Sequence, residues 1–336
     1  MYKLGFLGGG VGSIAGTVHL IASQMDRNFQ VLGGIFSHNE EKSKQSAKKY
    51  ALLHFSSIKE MCDTVDFVVI LTPTPNHYEN LKELLNYNVK IIVDKPLVAN
   101  ISEFDLNLDN KFVVVTHNYS GYPLVREIKA LVADGVLGTI KKIIINMPQE
   151  SFFKPMKPGY PQEWRLREYE IPTIALDLGV HTYHLARFIL GKKFEPFFCR
   201  TDSFSNFGVI DDMSVLAKSE DILIELNFSK IMLGNSNPLF IEVYGDNAGI
   251  KWSQSDFENL YLTYKNGKKE IFTRSYAHFE ANKPRYQRMA PGHPSGFIEA
   301  FANIYSDIHT KNIEYISDYQ ESLDSLNFFK KSLLLQ

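Results

Sequence analysis

The chain has 336 residues, 44% hydrophobic and 22% charged, with a formal net charge of −2. That is length for about two domains, an ordinary globular composition, and no overall basic excess of the kind nucleic-acid partners select. Two distant cysteines, Cys62 and Cys199, argue against a disulfide scaffold or a thiolate metal site; without a signal-peptide pattern or an apolar run near the ~20 residues of a membrane span, a cytoplasmic protein is expected. Residues 4–7 read as a buried strand, and Val18, Ile21, Ala22 and Met25 recur at helical spacing. A second strand is predicted over 31–36, a charged helix over 40–49, a strand over 67–71, a helix over 78–85, and strands over 91–93 and 112–115. Strands apolar on both faces that alternate with helices predict an α/β protein with a parallel, doubly wound sheet.

Near residue 120 the rhythm changes. A helix over 124–133 ends at Gly135, and 140–147 forms a long strand. Residues 148–172 are irregular and rich in Pro, Tyr and Trp, too long for a simple turn. A helix over 173–190 closes at Gly191. Residues 195–273 are strand-rich, with partial alternation at 222–228 and 240–244, and Asn266-Gly267 is a two-residue hairpin signal. Adjacent strands without intervening helices point to antiparallel pairing. Two helices, over 295–309 and 318–335, end the chain. The expected organisation is a dinucleotide-binding domain at 1–120 and an α/β domain with a large open, mostly antiparallel sheet at 121–336, its terminal helices free to pack back on the first.

Gly8-Gly9-Gly10-Val11-Gly12 lies directly between the first strand and the first helix. Such a turn lets the backbone approach a pyrophosphate that the helix N-terminus faces. Ser13 stands where strict GxGxxG needs a glycine; Gly16 supplies it if the turn is three residues longer. At the end of the second strand, where an acid grips the ribose of NAD, stand Ser37 and His38, with Lys42 nearby. NAD and NADP both remain open. Thr72-Pro73, with His77, follows the strand 67–71, and Asp94-Lys95-Pro96 follows the strand 91–93. Loops at these strand ends line the ligand crevice of a doubly wound sheet.

Asp177, His181, His184 and Phe188 share one face of a helical wheel at 100° per residue. An imidazole beside a carboxylate is a good general base, because the acid fixes its tautomer. The same spacing presents three metal-type ligands. No further cluster supplies a fourth, and no metal is expected.

These residues resemble the Gfo/Idh/MocA family, the glucose-fructose oxidoreductase and inositol dehydrogenase group, along essentially the whole chain. The resemblance is carried by Gly8-Gly9-Gly10 with Gly16 and His19, Thr72-Pro73, Asp94-Lys95-Pro96, the run 116–123 (Thr-His-Asn-Tyr-Ser-Gly-Tyr-Pro), Trp164-Arg165, and Asp177-x-Gly179-x-His181. Pro291-Gly292-His293-Pro294 with 296–301 (Gly-Phe-Ile-Glu-Ala-Phe) is similar to a sugar-acting branch. The resemblance implies a Rossmann domain, a C-terminal α/β domain whose sheet serves a homodimer or homotetramer, and NAD- or NADP-dependent hydride transfer at a secondary alcohol or ketone of a sugar, sugar derivative or inositol, with no nucleic-acid or membrane partner. By position, Lys95, Asp177 and His181 are the catalytic set. Gly8, Gly10, Val11, Gly12, Ser37, His38, Thr72, Pro73, His77, Asp94 and Lys95 face the cofactor, and Tyr122, Arg165, His184 and His293 the substrate. Two departures from the family stand out: residues 171–175 (Ile-Pro-Thr-Ile-Ala) replace a glycine run, and His184 replaces a common Asp or Asn. The family also contains an NAD-dependent glycosidase and a co-regulator without catalysis; retention of Lys95, Asp177 and His181 disfavours the latter.

Overall fold

The computed structural model describes residues 1–102, 104–154, 161–290 and 292–335. Residues 155–160 of the irregular stretch, and Pro291 of the Pro-Gly-His-Pro run, lie outside the described residues. The chain divides into two compact units, Met1–Asn118 with Phe297–Leu323, and Tyr119–Gly296 with Asp324–Gln336.

The first unit begins β1 (Tyr2–Gly8), α1 (Ile14–Gln24), β2 (Phe29–Ile35), α2 (Glu40–Tyr50), β3 (Leu53–His54), α3 (Ile58–Cys62), β4 (Phe67–Leu71), α4 (His77–Leu84), β5 (Lys90–Asp94) and β6 (Val113–Thr116). These six strands lie in the order β6-β5-β4-β1-β2-β3, every pair parallel. The Phe67-Val68-Val69-Ile70-Leu71 run is buried at all five positions. A strand covered on both faces reads as a continuous apolar run, which is why this half of the fold was visible in the sequence. The order reverses at β1, whose neighbours are β2 and β4. Such a switch point opens a crevice at the carboxyl ends of the strands.

The second unit holds α5 (Pro123–Ala133), β7 (Ile140–Pro148), α6 (Val180–Leu190), and then β8 (Glu195–Asp202), β9 (Asp212–Ser219), β10 (Ile222–Ser229), β11 (Phe240–Gly245), β12 (Ala248–Ser253), β13 (Asn259–Tyr264) and β14 (Lys269–Thr273). They form an eight-stranded sheet in the order β14-β13-β12-β11-β7-β10-β9-β8. All pairs are antiparallel except β7 with β10. Gly267, in the left-handed region, closes the β13–β14 hairpin as the Asn-Gly signal requires. Ile143, Ile145, Ile224, Leu226, Ile241, Val243, Ile250 and Trp252 fill one face. Across the other face the strand pairings align one row: Ile271, Tyr261, Lys251, Glu242, Ile144, Glu225, Leu216 and Phe198.

On α5, Glu127 is fully buried. Its Oε1 accepts from the backbone N–H groups of His278 (2.9 Å) and Phe279 (3.1 Å), and its Oε2 from those of Glu280 (2.6 Å) and Ala281 (2.9 Å).

The chain ends with α7 (Phe297–Thr310), β15 (Ser317–Asp318) and α8 (Tyr319–Ser332). Within the first unit, β15 pairs antiparallel with β6. Phe301, Ile304, Tyr305 and Ile308 of α7 join Leu4, Phe6, Phe29 and Phe67 in its core. Among the described residues, no helix is long and apolar enough to cross a membrane.

Candidate active site

The glycine turn of the first unit is a tight, pre-shaped cradle. Gly8, Gly9 and Gly12 all take positive φ. A Cβ on Gly16 would fall 2.1 Å from the Gly9 carbonyl oxygen, so only glycine lets α1 sit against the turn. Gly16 therefore takes the helix-packing place that strict GxGxxG gives to its third glycine. Ser13 caps α1 by accepting from the Gly16 N–H (3.0 Å). Ser46 of α2 accepts from the Val11 N–H (3.1 Å), fastening the loop from behind. In front, Val11 is exposed and open space surrounds Gly12. A helix start, glycines that admit close approach, and clear space fit a dinucleotide pyrophosphate. Past β2, the Ser37 hydroxyl accepts from the Asn39 N–H (3.2 Å), and His38 is exposed.

At the same sheet edge, Thr72 and Pro73 follow β4, and Asp94 and Lys95 end and follow β5. Asn80 donates to Thr72 Oγ1 (2.7 Å). Thr116 donates to Asp94 Oδ1 (3.1 Å), and His19 Nε2 lies 3.7 Å from the same oxygen. Burial opposes ionisation of Asp94. Interaction with the His19 imidazole, with Lys95 and His77, outweighs it and holds the carboxyl at about 2. His19 is fully buried, with Nδ1 2.8 Å from the Tyr305 hydroxyl. His77 is 1% exposed, and both its ring nitrogens meet backbone carbonyls.

In the second unit, Asp177 lies in a π turn, Ala175–Gly179, that runs directly into α6. Asp177 and His181 thus belong to different helical registers, and a uniform 100° wheel over 173–190 does not describe them. Gly179 is needed for packing: its Cβ would fall 2.8 Å from Phe329 Cζ and 2.9 Å from Phe228 Cζ. Arg165 grips Asp177 with a fork, Nε to Oδ2 and Nη2 to Oδ1, both 3.2 Å. Lys230, just past β10 and only 2% exposed, sets its Nζ 3.0 Å from Oδ2. Fork geometry and a second cation hold this carboxylate in one place. His181 is 6% exposed, with the Tyr119 ring edge-on to it at 4.8 Å. Burial, with the neighbouring Tyr122 and the Asp177 charge, pushes the Tyr119 hydroxyl well above its usual range.

His184 is buried, its ring 5.8 Å from Phe188. Tyr122 is a core aromatic packed on Trp252 at 5.3 Å. His293 is exposed, on a loop whose carbonyl accepts from Arg274 (2.8 Å). Sequence reading missed Lys230, although like Lys95 it directly follows a strand. It also missed Ser46, whose contact spans 35 residues. Among the described residues, no three His, Cys, Asp or Glu side chains are grouped to hold a metal ion.

Comparison with known proteins follows this division. The model of the oxidoreductase family with an NAD-binding Rossmann fold (GFO_IDH_MocA) matches residues 3–109, and the GFO/IDH/MocA C-terminal domain matches residues 125–251. Uncharacterized oxidoreductase YfiI of Bacillus subtilis (strain 168) is 26% identical over 325 residues, covering 89% of this chain and 82% of that protein. The crystal structure of an oxidoreductase from Sinorhizobium meliloti has a TM-score of 0.86 at 27% identity, covering 99% of this chain and 97% of that one. An inositol dehydrogenase homolog from Azotobacter vinelandii, complexed with NADH and myo-inositol, has a TM-score of 0.89 at 19% identity, covering 99% and 95%. At that identity the likeness concerns the fold.

Proposed function

The chain belongs to the Gfo/Idh/MocA family of NAD-binding oxidoreductases, and from that premise we propose that it transfers a hydride at a secondary alcohol or ketone of a sugar, sugar derivative or inositol. The observation that carries this reading is the place of Lys95. It follows β5 directly, on the carboxyl edge of the parallel sheet whose β1 ends in the glycine cradle. The Azotobacter homolog's myo-inositol complex supports a polyol as the substrate class.

In this reading Gly8, Gly10, Val11 and Gly12 hold the pyrophosphate, and Ser37, His38, Thr72, Pro73 and Asp94 border the rest of the cofactor. The bound nicotinamide supplies the hydride acceptor for oxidation, or the donor for reduction. His181 accepts the substrate hydroxyl proton as the carbonyl forms. Lys95 donates a hydrogen bond to the reacting oxygen. Asp177, paired with Arg165 and Lys230, accepts from a neighbouring hydroxyl. General base catalysis of this kind contributes about 10²–10⁴-fold. The exposed Ile271, Tyr261 and Phe198 on the other face of the second unit's sheet fit contact with a second copy of the chain.

Sugars, sugar phosphates and inositols screened for NAD or NADP reduction test the reading. With the best substrate, Lys95→Ala and His181→Ala should each lower kcat by about 10²–10⁴-fold while NADH binding survives. Near-normal turnover in both variants refutes these assignments.

A further inference from the structure

We propose that His77 is a positioning residue of the cofactor half-site: its ring, protonated on both nitrogens, ties the loop after β4 to the loop after β5 and so sets where Lys95 stands. The ring is 1% exposed, at the first residue of α4. Its Nδ1 is 2.8 Å from the Pro96 carbonyl oxygen, and its Nε2 is 2.8 Å from the Thr72 carbonyl oxygen. A carbonyl oxygen only accepts. A neutral imidazole carries one N–H and one lone pair, so it satisfies one of these contacts and turns a lone pair against the other oxygen. A ring with two N–H groups makes both bonds at ordinary length.

Burial pulls the other way and on balance lowers the basicity of the ring; the two 2.8 Å contacts argue against that balance, because a neutral ring leaves a lone pair facing one of the carbonyl oxygens. Against burial stand the backbone carbonyls of Thr72, Pro96 and Leu97 and the charge of Asp94. Asp94 is the charge that acts on the ring; around Asp94 stand Lys95 just past β5, His19 on α1 and Tyr305 on α7. Of these, Asp94 is the anion, and it is held ionised. The two carbonyls belong to the residues that matter for the cofactor side: Thr72 itself, and Pro96 directly after Lys95. Asn80, nearly one turn along α4, holds the Thr72 hydroxyl as well. One helix start thus gathers two strand-end loops that neighbouring strands bring side by side. With both nitrogens engaged, His77 acts on the cofactor through these loops.

The part of this proposal that concerns turnover rests on the hydride-transfer reading; the protonation of the ring does not. The full chain, with its ten histidines labelled with 15N, would be followed by long-range 1H–15N correlation spectra. At a pH where an ordinary histidine is neutral, one ring should keep both nitrogens protonated, and its signals should vanish in His77→Gln. If every ring is a neutral tautomer at that pH, the proposal is overturned; the wild-type spectrum decides this even if the variant does not fold. In a folded His77→Gln protein, NADH titration followed by fluorescence should show binding weakened about tenfold, with kcat also reduced. Wild-type NADH affinity and kcat in that variant would overturn the positioning role. A doubly protonated ring in a protein that oxidises no polyol would uphold the tie and sink the hydride-transfer reading.

Discussion

Replacing Glu127 by Gln tests how the second unit is held together. Each carboxylate oxygen accepts two backbone N–H groups from residues 278–281. The substitution keeps one oxygen and turns an NH₂ toward two donors. Two hydrogen bonds to a charged group are lost, each worth about 1.5–3 kcal/mol, so the expected loss is about 3–6 kcal/mol. Against a typical stability of about 5–15 kcal/mol, that is a large fraction. Both tryptophans, Trp164 and Trp252, lie in the second unit, so the urea dependence of tryptophan fluorescence reports on the affected part. Glu127→Ala, which removes all four acceptor contacts and leaves a void, should cost more. A loss below about 1 kcal/mol in Glu127→Gln would show that water or side chains replace the carboxylate freely, and the reasoning would fail.

Gly16→Ala forces a methyl into the Gly9 backbone and should abolish NADH binding measured by fluorescence titration; wild-type affinity would contradict the cradle. Lys230→Met should lower kcat/KM by about ten- to hundredfold through loss of one charged contact to Asp177, with partial recovery in Lys230→Arg; an unchanged value would remove Lys230 from the site. Asp94 titrates at about 2 rather than 3.8. A depressed folded value means its stabilisation is complete above 3.8 and is lost as pH falls toward 2, an effect of about 2 kcal/mol. Protection of β5 and β6 amides from hydrogen exchange across that window should fall off more steeply in the wild type than in Asp94→Asn, and identical profiles would count against the His19–Asp94 coupling.

The Rossmann half was readable because its signals are local. Apolar runs such as 67–71 owe their pattern to burial on both faces, and the glycines of 8–12 owe theirs to a turn made within one short segment. The second unit hides its decisive contacts in separations that periodicity does not carry. Lys230 reaches Asp177 across 53 positions and Glu127 reaches 278–281 across about 150, so no window of sequence contains both partners. The parallel pairing of β7 with β10 escaped for a related reason: adjacency in sequence suggests hairpins, whereas these strands are joined through α6, β8 and β9. β3 and α3 are two and five residues long, too short to show a period at all.

The widened turn at Ala175–Gly179 has an evolutionary corollary. A π turn amounts to one extra residue accommodated inside a helix, so a single-codon deletion there would restore an unbroken α spiral. Everything upstream, Asp177's carboxylate included, would then swing by about 100° relative to the imidazole of His181, while the helix itself would survive. Gain or loss of one residue at this spot is therefore a route by which related chains can re-aim an acid without touching their base.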